Sequence, residues 1–279
     1  MTDLKRRSFF TIEIVYLFAV ILFVIVLFPF YWIFVTSFKE TLAVYELPPR
    51  LIPRSFDLSN YLRSFTQYNV GMYFINSLKA TTATVVFTTF FASCAAFALA
   101  RLNFKGKKTI RRFLGLTQMF PVVVLLVPLF LLCNRFHLYN TLPSIVIPYV
   151  ALQFPVSIIL QSTYYRDVPD ALEEAARLDG CNTFQILAHV FFPLVTPGIV
   201  ATSVYTFIQV WQEFLIASSF ITSRNKFTLT IGLTTFRGDE MTDWGALMAT
   251  SVIIAVPALI LFNLAQDFFI NRVVGSVKE

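Results

Sequence analysis

Six long runs of apolar residues dominate the chain, near Ile14–Val35, Ala80–Ala100, Phe113–Cys133, Leu142–Ser162, Gly198–Ile221 and Ala246–Ile270. Each is long enough for a helix to cross a bilayer core, which takes about 20 residues. The runs are continuous rather than alternating, so they do not fit a membrane barrel, whose strands alternate over about ten residues. Hydrocarbon offers no partner to a free backbone amide, which favours helices. The pattern predicts an all-α integral membrane protein of about six transmembrane helices. Between the first two runs, Ser37–Gly71 carries Pro48, Pro49 and Pro53 and predicts an irregular connector entering a short helix near Leu58–Phe65. Lys79, just before the second run, is expected to snorkel to headgroups. Prolines 29, 121, 128, 143, 148, 155 and 257 fall in or beside the runs. Each removes an amide donor and tends to kink its helix. Two readings stay open: kinks that let a bundle rock around a cavity, or the ordinary proline content of membrane helices.

Composition agrees with the pattern. Of 279 residues, 57% are hydrophobic and 14% charged, against about half and a quarter in soluble domains. The net charge of +6 does not by itself suggest nucleic acid. Its distribution matters more. Half of Arg101–Arg112 is Lys or Arg, and Lys5, Arg6 and Arg7 precede the first run. The positive-inside rule puts both on the cytoplasmic side, with both termini. Lys39, Arg50, Arg54 and Arg63 in the first outer loop oppose that assignment. The first run is too long for a signal h-region, lacks a small-residue cleavage site and is followed by Lys39, so it reads as a retained span.

The segment between the fourth and fifth runs, Tyr164–Pro197, is 34 residues long and cytoplasmic in this orientation. Asp167 is placed to cap a helix with Val168 and Pro169 in its first turn. Asp170, Glu173 and Glu174 favour a helix N-terminus, and Gly180 suits a left-handed C-terminal stop. Ala171, Leu172, Ala175 and Leu178 form a narrow small and apolar face. A second helix, about Thr183–Phe192, is expected to end at Pro193. Arg166–Asp179 holds five acids and two bases, whereas a headgroup-bound helix favours Lys and Arg. Docking into a protein partner is the better physical reading.

Other chemistry is sparse. Cys94, Cys133 and Cys181 have no metal or disulfide spacing, and His137 and His189 are isolated, so neither a metal nor a catalytic cluster is expected. Gly106-Lys107-Lys108-Thr109 is not a phosphate loop, because Arg101 stands where Gly is required and Lys108 where Ser or Thr is. Glu213 is the single acid deep in a run, with Gln209 four residues back on the same predicted helical face and Gln212 beside it. These three, with Asn76 and Gln153, are candidates for a solute path; a hydrogen bond between helices or to a sister subunit is the competing reading for Glu213. An ion-coupled transporter would need more intramembrane ionisable groups than Glu213 and Asp267.

One spacing is specific. Glu174-Ala175-Ala176, three residues, Gly180, nine residues and Val190-Phe191-Phe192-Pro193 resembles the EAA loop of bacterial ABC import permeases, in which the last four positions are Ile-x-Leu-Pro. Asn76-Ser77-Leu78, Ala98-Leu99-Ala100-Arg101, Trp211-Gln212-Glu213-Phe214, Ala246-Leu247-Met248-Ala249 and Gly275-Ser276-Val277-Lys278 extend the likeness to the maltose-type carbohydrate permeases across nearly the whole chain. Gln212 departs from the family's Asn, and the tail from its Gly-Ala-Val-Lys-Gly. The resemblance implies a single permease domain, 1–279, with an N-terminal span at about 14–35, a five-span core at about 72–270 and a coupling loop at about 164–197. It implies a subunit in the bacterial inner membrane, without enzymatic activity or a cofactor, forming half of a path for a carbohydrate, with an oligosaccharide leading and a polyol or glycerol phosphate as alternatives. Its partners would be a cytoplasmic ATPase dimer, a second related permease, an extracytoplasmic solute-binding protein and membrane lipid. Glu173, Glu174, Ala175, Ala176, Asp179 and Gly180 would lie nearest the ATPase, and the tail Val274–Glu279 could reach it as well.

Overall fold

The computed structural model describes the backbone of residues 2–238 and 241–275, and the side chains of 15–238, 241–264 and 266. Lys5, Arg6, Arg7, Asp267 and the tail from Val274 onward, singled out above, have side chains outside the described residues. All regular elements among the described residues are helical, apart from an isolated bridge between Arg237 and Thr242. Five helices among the described residues are long and apolar enough to cross a membrane, and a bent pair makes six if it is counted as one broken span.

The chain divides into two compact units. The first comprises the chain up to Val70 together with Leu233–Ala255. It holds α1 (Thr2–Ser37), α2 (Ser59–Thr66) and the first part of α12 (Trp244–Gly275). Every side chain from Val15 to Tyr31 is exposed, so this apolar rod needs lipid or another helix to cover it. Asn60 organises the unit. Its amide donates to the carbonyls of Ser37 (2.9 Å) and Lys39 (2.7 Å), and its Oδ1 accepts from Arg63 at 2.6 Å. Arg63 also pairs with Asp243 at 3.1 Å, and Arg50 with Glu46 at 2.6 Å. Lys39 is buried 4.2 Å over the Trp32 ring; burial lowers its pKa, partly offset by Glu46. Thus three of the four cations that opposed the charge rule are matched or sequestered within their own unit. The short helix predicted near 58–65 is present as α2, preceded by Asp57, which accepts from the Ser59 amide (2.8 Å) and hydroxyl (2.7 Å) and has its pKa lowered by them.

The second unit comprises Gly71–Gly232 and the helix from Val256 onward. It contains α3 (Val70–Arg101), α4 (Lys107–Thr117), α5 (Val122–Arg135), α6 (Leu142–Asp167), α7 (Asp170–Leu178), α8 (Thr183–Gln185), α9 (Phe192–Trp211), α10 (Leu215–Phe220) and α11 (Leu229–Gly232). Four expectations are corrected here. The second span begins at Val70, not near Ala80, so Asn76 and Lys79 lie within the helix. The third span is not one helix: α4 and α5 are bent by 102° at Gln118–Pro121. Pro121 forces the residue before it away from helical geometry, and α4 carries four cations that resist burial in lipid.

The fifth span stops at Trp211 and restarts as α10. Conversely, the helix expected to end at Pro193 runs on from Thr183 to Trp211. Ile186–Phe191 is a π-helical stretch in which the Phe192 amide donates five residues back, to Leu187. The wider turn relieves the crowding that a proline ring imposes on the carbonyl four residues before it. The helix is started by a reciprocal box: Asn182 Oδ1 accepts from the Gln185 amide (2.9 Å) and Gln185 Oε1 from the Asn182 amide (2.8 Å).

α6 and α9 pack closely in this unit, because Gly198 leaves room for the Tyr164 ring; a Cβ there would overlap the ring. Gly198→Ala should therefore destabilise the bundle by about 1–3 kcal/mol, the usual cost of overpacking. Thermal unfolding of the detergent-solubilised chain checks this, and an unchanged midpoint would refute the close packing.

Candidate functional site

At one end of the second unit, α3, α6 and the π-helical stretch ahead of α9 bring together Phe97, Tyr165 and Phe191, all buried, with ring centroids 5.2–5.9 Å apart. The Tyr165 hydroxyl and Ser93 are 2.6 Å apart. Arg101, the last residue of α3, lies over Phe191 at 4.9 Å. Its Nε donates to the Tyr165 carbonyl at 2.8 Å, its Nη2 donates to the Val168 carbonyl, and its Nη1 pairs with Asp170. Only 7% of the Arg101 side chain is exposed, against 84% for Asp170. The guanidinium thus binds the orphan carbonyls at the end of α6 and the first residue of α7 with one rigid fork. In the sequence Arg101 reads only as one cation of the basic segment Arg101–Arg112, because its partners lie 64 or more residues away.

α7 is the short acidic helix. Asp167 is the last residue of α6, and the N-cap position of α7 is taken by Pro169, without a side-chain bond. A proline there needs no amide partner, and the Arg101 fork steadies the entry instead. The C-terminal end follows expectation. Gly180 has φ +82°, its amide donates to Arg177 (3.1 Å), and the Cys181 amide donates to Ala176 (3.0 Å). This is the two-bond Schellman stop, whose left-handed residue is usually Gly.

The six coupling candidates do not share one surface. Ala176 is buried against the unit's own apolar core. Glu173 is half-buried and pairs with Arg177 at 2.8 Å. Glu174, Ala175, Asp179 and Gly180 are exposed, as are Ala171 and Leu178, the latter at 89%. Phe184, just beyond, is 75% exposed. One face of α7 anchors the helix and the other presents small and apolar groups beside carboxylates.

The path candidates also separate. Gln153 on α6, Gln209 on α9 and Glu213 line one cavity of about 370 Å³ with Gln118, Tyr149 and Tyr205. Gln118, Tyr149 and Tyr205 were missed; Gln118 sat in what read as an unbroken span, and the two tyrosines gave no motif. Asn76 lies elsewhere, donating to the carbonyls of Asn225 (2.9 Å) and Phe227 (3.0 Å), and Gln212 is exposed beyond α9. Glu213 is not on a continuous helix with Gln209. It sits in the break, where Oε1 accepts from the Ile216 amide (2.8 Å) and Oε2 from the Ala217 amide (3.1 Å) and the Tyr149 hydroxyl (2.6 Å). The carboxylate therefore satisfies the free amides that begin α10 inside a low-dielectric bundle. Glutamine keeps one acceptor oxygen where three bonds are made, so Glu213→Gln should lower stability by about 1–3 kcal/mol. Unfolding in detergent measures it, and a variant as stable as the parent would remove the capping role. Among the described residues, no group of three or more His, Cys, Asp or Glu is placed to hold a metal ion.

The chain as a whole has counterparts in known proteins. Residues 88–275 match the family described as binding-protein-dependent transport system inner membrane component. The chain is 36% identical to a probable ABC transporter permease protein, YurM, of Bacillus subtilis, over 99% of this chain and 92% of that one. It is 31% identical to the diacetylchitobiose uptake system permease protein NgcG of Streptomyces coelicolor, over 92% of this chain and 84% of that one. In structure it resembles a chain of a bacterial ABC transporter involved in the import of the acidic polysaccharide alginate, with a TM-score of 0.82 at 24% identity over 94% of this chain and 97% of that one. The chain belongs to the inner membrane components of binding-protein-dependent transport systems, as one of their multi-pass permeases.

Proposed function

We propose that this permease imports a neutral carbohydrate of the oligosaccharide class and is driven by an ATPase dimer docked on α7, with a second permease completing the path. The observation that carries the reading is the two-sided construction of α7. Ala176 and the Arg101 fork hold its inner side to the bundle, while Ala171, Glu174, Ala175 and Leu178 stand free with Phe184 beside them. Exposed apolar groups next to small residues suit a close protein contact. A helix held this firmly moves with its spans, so closure of the ATPase dimer becomes a rigid-body displacement of α3, α6 and α9. In this reading α7 and both termini are cytoplasmic, and a solute-binding protein delivers cargo on the opposite side.

The carbohydrate class rests on relatives such as the diacetylchitobiose uptake permease and on the cavity. Its polar lining is three amides, two phenols, Thr117 and Glu213, with no Lys or Arg. Such groups exchange hydrogen bonds with hydroxyls, whereas an anionic sugar or glycerol phosphate calls for cations. Reconstituted with its sister permease, ATPase and binding protein, the transporter should take up neutral oligosaccharides in preference to uronates or glycerol phosphate. Gln153→Ala and Gln209→Ala should each lower uptake several-fold while the ATPase stays bound. Preferential transport of an anionic solute, or normal uptake by both variants, would overturn the reading.

A further inference from the structure

We infer that α4 is an interfacial helix that binds the anionic headgroups of the surrounding bilayer. The bend at Gln118–Pro121 turns α4 by 102° from α5. If α5 crosses the bilayer, α4 lies close to the membrane plane. The helix is divided along its length. Leu114 is buried, and Lys107 and Arg111 turn back to the end of α3, donating to the carbonyls of Leu102 (2.9 Å) and Leu99 (3.0 Å). Ile110, Phe113 and Leu116 are 44–64% exposed along one flank. Lys108 and Arg112 are exposed along the other, close to Lys105 in the preceding turn.

The segment Leu102–Phe120 contains five cations and no carboxylate. An apolar flank beside a cationic one is the arrangement that seats a helix at the boundary between acyl chains and anionic headgroups. α7, at the same end of the unit, has the opposite character, so the two helices divide this end between a lipid-facing and a protein-facing surface. The inference is independent of how α7 is used, and of which side of the membrane α4 occupies.

The test is amide exchange of the full chain in nanodiscs of pure phosphatidylcholine and of phosphatidylcholine mixed with phosphatidylglycerol. Exchange over Lys108–Leu116 should slow in the mixed discs, by about five-fold for each cation engaged. Lys108→Gln with Arg112→Gln should remove most of that increment and leave exchange of α7 as in the parent, which shows that the variant is folded. Equal exchange of α4 in the two lipids would overturn the inference. So would protection that appears only when the ATPase is added, which would assign the cations to an acidic protein surface.

Discussion

Gly180→Pro should abolish solute-dependent ATP consumption and uptake while the subunit still reaches the membrane. Gly180 holds φ +82° and its amide bonds to Arg177; proline fixes φ near −65° and has no amide to give. Both bonds of the helix stop are then lost, at about 3 kcal/mol or more, a population shift of roughly a hundredfold. Alanine separates strain from space. A Cβ at Gly180 meets nothing within 4 Å, so Gly180→Ala suffers only the left-handed backbone cost of about 1–2 kcal/mol. It should retain measurable uptake. Glu174→Lys tests the exposed face without disturbing the stop, and should uncouple transport through charge alone. Normal uptake by both the proline and lysine variants, with the ATPase still associated, would remove α7 from the coupling mechanism.

Arg101→Ala should be nearly as damaging, through loss of position rather than of contact with the motor. The ion pair with Asp170 contributes little, because Asp170 is largely exposed. The larger loss is the pair of charge-assisted bonds to the carbonyls of Tyr165 and Val168, each worth about 1.5–3 kcal/mol. Lysine cannot reproduce the fork, so Arg101→Lys should recover only part of the activity. Asp170→Asn should be close to the parent. Uptake rate, thermal midpoint and amide exchange of α7 discriminate the roles. Faster exchange in α7 with an intact α3 supports a positioning residue. An Asp170→Asn variant as impaired as Arg101→Ala would show that the ion pair, and not the carbonyl fork, holds the helix.

Much of this was legible in one dimension because a bilayer imposes length and polarity on whatever crosses it. All five unbroken candidate spans overlap apolar runs of the necessary length, and α7 is bounded by a run of acids and by Gly180. The misplacements share a cause. Phe113–Cys133 and Gly198–Ile221 are apolar enough to cross, but composition does not reveal that a chain turns within such a run. The turn at Glu213 depends on partners such as Tyr149, 64 residues away. The end at Pro193 was expected because proline removes a donor, and a π-helical turn absorbs that loss.

Membrane residence, the apolar runs able to cross and a short acidic helix between the fourth and fifth of them were legible in the sequence alone, since they rest on local composition and on spacing along a single helix. Tertiary structure decided which side of α7 is free, that Arg101 braces it, and which amides share a cavity. Asn76 and Gln153 read alike as isolated polar residues in apolar surroundings. Only the packing of α6 against α9 places Gln153 beside Gln209 and Glu213, while Asn76 spends its amide on loop carbonyls. A buried polar group must find its partner wherever the fold puts one, and for these residues that partner is distant in the chain.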